Sequence, residues 1–400
     1  MKIIRWCIVL ILLLGGSLWL IGEGGLERYQ NEINSRDIVY KPSNKNVESI
    51  QEETNIEKET IKEDPIEIYM KGMSLEEKIG QLFIVALNGE IGNETLLKQY
   101  QVGGIVLFKK DIQGRQQVQE LINALQKGSK IPLWIAIDEE GGRVSRIGHI
   151  PEITKEPFKA AYEIGQTADP HKAYEEAKKM GKILYDLGIN MDFAPVADIY
   201  NNENNTVIGN RSFGHTKEEV TPMVIAFAKG LKEEGIFPVV KHFPGHGNTY
   251  QDSHEQLAYI DKTLQDLEEE ELVPFFEATQ NGVEGMMVGH LVVSEVDQLP
   301  ATLSSKWGSY IKEHFDTEEL LLITDAMNMG AVVQNKEAGS AAVESFLSGM
   351  DIILMPDDLG AAEEAMKKAY EEGKITKDRL DESVRKILLK KVEQNLLVLE

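Results

Sequence analysis

The stretch Ile236-Phe237-Pro238-Val239-Val240-Lys241-His242-Phe243-Pro244-Gly245-His246-Gly247-Asn248-Thr249-Tyr250-Gln251-Asp252-Ser253-His254 passes from an apolar run to a polar loop within one residue. Its first five residues are the pattern of a short buried strand. Beyond Lys241 a Pro-Gly-x-Gly segment forces a turn, since Gly accepts positive φ and Pro cannot extend a ladder. Three histidines, a lysine and an aspartate therefore collect on one loop at a strand's end. Imidazole and carboxylate could form a metal set from His242, His246, Asp252 and His254. They could also be acid/base and substrate-orienting groups, or a solvated loop of hydrogen-bonded histidines. Against metal stand the lack of a helical His pair of the HExxH type and the cationic Lys241 beside His242.

Outward from this loop, seven more apolar runs recur: Leu82–Leu87, Gly104–Phe108, Pro132–Ile137, Ile189–Ala194, Gly285–Val288, Leu320–Thr324 and Asp351–Met355. With Phe237–Val240 they make eight. Helix candidates lie between them, among them Gln113–Lys127, Pro170–Leu187, Lys217–Glu234, Leu264–Asn281 and Ala361–Glu372. Strands alternating with helices imply βαβ units and a parallel sheet. Eight units over this length predict an α/β fold of the (β/α)8 TIM-barrel type rather than an open doubly wound sheet. Several strand ends carry polar groups: Asp138-Glu139-Glu140-Gly141-Gly142-Arg143, Asp198, Gly289-His290 and Thr324-Asp325-Ala326-Met327. One aspartate at a strand end can simply cap the next helix. Five polar ends together point to a shared mouth, the place where barrel enzymes build their sites.

The 400 residues carry a net charge of −24, which disfavours nucleic acid and anionic lipid surfaces as partners of the body. One cysteine, Cys7, cannot form an internal disulfide. Lys2 and Arg5 precede an apolar run from Trp6 to Ile21, the pattern of an export signal or an uncleaved signal anchor over residues 1–22. Residues 23–64 are polar and aperiodic and are expected to form a disordered tether, with the folded body at 65–400. The expected location is outside the cytoplasm, membrane-anchored or secreted. Contact with the membrane is expected through the N-terminal segment alone, and the body is expected to be monomeric.

Lys241-His242-Phe243-Pro244-Gly245-His246-Gly247 with Asp252-Ser253-His254, Asp138-x-Glu140-Gly-Gly-Arg143-Val-x-Arg146, Asn210-Arg211-Ser212-Phe213-Gly214 and Thr324-Asp325-Ala326-Met327 resembles glycoside hydrolase family 3, closest to its bacterial β-N-acetylglucosaminidases. The resemblance covers about residues 65–395 and looks like the single-domain branch. It implies a retaining, exo-acting β-N-acetylhexosaminidase without cofactor or metal, acting on N-acetylglucosamine-containing wall fragments or muropeptides. Asp325 is implied as nucleophile, His254 as acid/base and Asp252 as the group that orients His254. Asp138, Arg146, Arg211, Lys241 and His242 are implied as the groups that hold the sugar. A neutral-pH imidazole suits the proton-transfer role without the burial a glutamic acid needs. Rival readings are a β-glucosidase or β-xylosidase of the same family, a phosphorylase that admits phosphate beside histidine, and a wall-binding protein without turnover.

Overall fold

The computed structural model describes residues 64–87, 92–249, 257–334 and 336–399, all within one compact unit, Lys62–Glu400. The expected anchor, nearly all of the expected tether, Asp252 and His254 lie outside the described residues. Asp64 opens the described chain as the N-cap of the helix Pro65–Lys71. Its Oδ1 accepts from the Ile66 amide at 3.0 Å, and its Oδ2 pairs with Arg385 at 2.7 Å. Among the described residues no helix is long and apolar enough to cross a membrane.

The strands of the two larger sheets are short and almost wholly buried: β1 (Phe83–Ala86), β2 (Gly104–Leu107), β3 (Trp134–Ile137), β4 (Met191–Asp192), β5 (Phe237–Pro238), β6 (Val240–Phe243), β7 (Gly285–Val288), β8 (Leu321–Thr324) and β9 (Ile353–Leu354). Continuous apolar runs of this kind belong to parallel strands covered on both faces. One sheet runs β9-β1-β2-β3-β4-β5 and another β8-β7-β6, every pairing parallel. Bridges Val196–Lys241 and Ile323–Ile352, both parallel, join the two. The sheet is thus a curled parallel one whose pairing order leads back to its start. The fifth expected strand is split because Pro238 has no amide to donate and the ladder resumes at Val240.

Helices cover the sheet's outside. Pro170–Leu187 starts on the Asp169 cap and stops at Gly188, and Lys217–Glu233 starts on the Thr216 cap. The single helix expected over Leu264–Asn281 is two, Leu264–Glu269 and Val273–Gln280. Pro274 in the first turn of the second fits the break, since its ring and missing amide disfavour continuing the preceding helix through it. At the N-terminal side of the strands, the helix Lys377–Glu393 buries Lys391, which donates to Gln81 Oε1 at 2.7 Å and the Gly103 carbonyl at 3.0 Å. Lys391 thus ties this helix to the N-terminal ends of β1 and β2, opposite the strand ends that carry the site.

Candidate active site

The end of β3, strand β6 and the segments that carry Arg146 and Arg211 supply a buried charge network. From β3, Asp138 accepts from Lys241 Nζ at 2.8 Å on Oδ1 and from Arg146 Nη2 at 3.1 Å on Oδ2. Two residues on, Glu140 takes Arg211 bidentately, both contacts at 2.8 Å, and lies 2.7 Å from the same Lys241 Nζ. Lys241, on β6, is 2% exposed. A cation so deeply buried is tolerable only because two carboxylates surround it. Burial alone would raise the Asp138 and Glu140 carboxyls. The neighbouring cations, Lys241 with Arg146 for Asp138 and Arg211 with Lys241 for Glu140, outweigh it and hold both below the ordinary range. Burial would lower Arg211, but Glu140 keeps it above its usual value. Asp138 thus has two direct cationic partners, and Arg211 pairs with Glu140.

Asp198 anchors the histidine loop from below. It is fully buried, accepts from His242 Nδ1 at 2.7 Å, and takes the His246 amide at 2.6 Å. The His242 Nε2 lies 3.3 Å from Arg211 Nη2, so one ring links the loop to the charge network. Burial, followed by the nearby His242, pushes His246 down to about 4, leaving it neutral. Gly245 turns at φ +121°, and a Cβ on Gly247 would sit 1.7 Å from the Ile199 carbonyl oxygen. Both glycines are therefore required by the backbone path. Asn202 and Asn205, from the segment after β4, clamp the loop. Asn205 donates to the His246 carbonyl at 2.7 Å, and Asn202 to the Asn248 and Thr249 carbonyls.

Asp325 follows β8 directly. Its amide donates to the Val288 carbonyl at 2.8 Å and its Oδ1 accepts from the Ala326 amide at 2.8 Å. His290 sits behind, its Nδ1 2.8 Å from Thr302 Oγ1 and its Nε2 3.0 Å from the Ala326 carbonyl. Asp325, Asp138, Glu140, Arg146, Arg211, Lys241 and His242 all line one cavity of about 420 Å³. Phe108, Met287 and Met355 add apolar wall. The structure therefore gathers six of the eight expected site residues, and the other two, Asp252 and His254, fall outside the described residues. Among the described residues no three His, Cys, Asp or Glu side chains are placed to share a metal ion.

Residues 74–389 match the glycosyl hydrolase family 3 N terminal domain. The chain belongs to glycosyl hydrolase family 3. Within that family it is 33% identical over 322 residues to β-hexosaminidase A of Pseudoalteromonas piscicida, covering 73% of this chain and 53% of that protein. It is 32% identical to β-hexosaminidase LpqI of Mycobacterium tuberculosis, covering 78% of this chain and 81% of that one. A family 3 β-N-acetylglucosaminidase structure from Paenibacillus sp. superposes with a TM-score of 0.77 at 36% identity, over 81% of this chain and 63% of that one. The chain thus spans about half the length of the Pseudoalteromonas relative and most of LpqI.

Sequence reasoning passed over Glu140 as a site group, although it lies in the quoted family 3 motif. An acid two residues from Asp138 on an extended segment shares its face, and that period was the available signal. Asn202 and Asn205 were missed because loop asparagines carry no periodic signature.

Proposed function

We propose that this chain is a retaining, exo-acting β-N-acetylhexosaminidase that removes terminal β-linked N-acetylglucosamine from wall-derived fragments or related glycans. The observation that carries this reading is the placement of Asp325 in one cavity with Asp138, Lys241, Arg146 and Arg211. Carboxylates and cations set side by side offer acceptors and donors to adjacent hydroxyls of a single sugar. The names of the relatives support the N-acetylhexosamine specificity. A cavity of about 420 Å³ suits one sugar, with an adjoining cavity of about 850 Å³ that shares Phe108, Arg146, Asn328 and Met355 as room for the group it is linked to, and the pairing order of the strands supports a (β/α)8 barrel as the frame.

In this mechanism an Asp325 oxygen attacks the anomeric carbon as the glycosidic C–O bond breaks, forming a glycosyl ester. By family resemblance His254, oriented by Asp252, gives its proton to the departing oxygen. It then takes one from the water that hydrolyses the ester. Asp138, Glu140, Arg146, Arg211 and Lys241 are held by one another before either step, the preorganisation that electrostatic stabilisation of a charged transition state needs. Export with anchoring through residues 1–22 belongs to the same proposal, and the basic-apolar leader supports it. Protease accessibility of the body on intact cells, with fractionation of the full chain, tests the location.

A panel of p-nitrophenyl glycosides tests the specificity. Turnover of the β-N-acetylglucosaminide far above the β-glucoside and β-xyloside is expected, with free N-acetylglucosamine as product whether or not phosphate is present. Preference for the β-glucoside, or a sugar phosphate product, would overturn the reading.

A further inference from the structure

Between Asp138 and Glu140, whose side chains line the cavity, Glu139 points the other way, as alternation along an extended segment requires. It is completely buried. Its Oε2 accepts from the Arg146 amide at 2.8 Å and the Ile147 amide at 3.0 Å. Its own amide donates to Asp192 Oδ1 at 2.9 Å, which fixes the residue to the end of β4. The Arg146 side chain then reaches back over the cavity to Asp138 Oδ2 at 3.1 Å, with its guanidinium carbon 5.4 Å from the centre of the Phe108 ring.

We propose that Glu139 is a positioning residue for substrate binding, holding Arg146 against Asp138 by gripping the main chain at residues 146 and 147 from beneath the cavity. The segment that leaves Glu140 and returns at Arg146 is also tied at the Glu140 amide to the Val144 carbonyl (2.9 Å), at the Gly142 amide to the Phe158 carbonyl (3.0 Å) and through the Arg143 side chain to the Thr206 carbonyl (2.9 Å). Those ties end at position 144, two residues short of the arginine. An apolar side chain at 139 would take the acceptor from the buried Ile147 amide and the part-buried Arg146 amide, and the chain would shift to find another. A shift of about 1 Å at Arg146 is enough to lose its hydrogen bond to Asp138. Glu139 touches no substrate itself. Its effect passes through Arg146, so it acts on binding of the sugar that the proposed function places in this cavity, and the inference rests on that reading.

The experiment compares Glu139→Leu, Glu139→Gln, Arg146→Ala and Glu139→Leu/Arg146→Ala on p-nitrophenyl β-N-acetylglucosaminide. Amide hydrogen exchange over residues 144–148 is measured alongside. Glu139→Leu is expected to raise KM roughly tenfold with kcat within about twofold, the signature of lost binding rather than lost chemistry. Glu139→Gln, whose carbonyl accepts the same two amides, is expected to restore KM to near the parent value. Adding Glu139→Leu to Arg146→Ala should raise KM little further, because both remove one interaction. Exchange at 146 and 147 should rise in Glu139→Leu and not in Glu139→Gln. A native KM in folded Glu139→Leu, or fully additive effects in the double variant, would overturn the proposal. If Glu139→Leu does not fold, Glu139→Ala is measured in its place with the same expectations. Should the parent fail to turn over the substrate at all, the functional reading falls on its own, and unchanged exchange at 146 and 147 still overturns the positioning role.

Discussion

Asp198 and His242 meet at 2.7 Å, carboxylate to Nδ1, with the carboxylate fully buried. Burial would raise the Asp198 carboxyl, but His242 outweighs it and holds the group below its usual range. The buried carboxylate accepts from Nδ1, and Arg211 Nη2, a donor only, lies 3.3 Å from Nε2, so the two pair when Nε2 carries no proton. His242 therefore holds the guanidinium that Glu140 grips from the other side.

Asp198→Asn is expected to lower kcat/KM by roughly tenfold or more, the cost of a lost charge-assisted hydrogen bond. An amide can turn its NH2 toward the ring, which would place the imidazole proton on Nε2 and face it against Arg211. The change should fall mostly on KM. Native kinetics in a folded Asp198→Asn protein would show that the tautomer of His242 does not matter.

A pH signature follows from Glu139. Burial raises its carboxyl from the ordinary 4.5 to about 7, against the opposing pull of Ser145 and the two amides. The folded protein then holds a proton that the unfolded chain has released between those two pH values. Stability from this group is complete below about 4.5 and is lost as pH rises through about 7. Denaturant unfolding from pH 4.5 to 8 should show the parent losing up to about 3 kcal/mol more than Glu139→Gln across that interval. Parallel curves for the two proteins would contradict it.

The eight apolar runs were legible because a parallel sheet covered on both faces demands them. The break at Pro238 and the split at Pro274 were visible as residues but not as outcomes, since tertiary packing decides whether a proline ends an element or opens the next. At the site, Asp138 and Lys241 were readable from strand-end chemistry. The Glu140–Arg211 pair was not, because its partners are 71 residues apart and only the curled sheet brings them together. Glu139 hid for a different reason: the alternation that exposes its neighbours to the cavity turns it inward. The role of His254 came from family resemblance alone.

That role has a kinetic test. His254→Ala should lose most activity on glycosides with poor leaving groups, which need protonation to depart, and little glycosylation rate on a dinitrophenyl glycoside. The gap should approach the typical ~10²–10⁴-fold contribution of general acid/base catalysis. Asp252→Ala should repeat the pattern more weakly. Equal losses across the leaving-group series would reduce His254 to a packing role.

The central claim is that Asp325 becomes covalently glycosylated. Incubation with a 5-fluoro N-acetylglucosaminyl fluoride, followed by proteolysis and mass analysis, measures this directly. One sugar per chain is expected, carried by Asp325 and absent in Asp325→Ala, whose turnover should be abolished with the fold intact. A label on any other residue, or near-native turnover by Asp325→Asn, would contradict it.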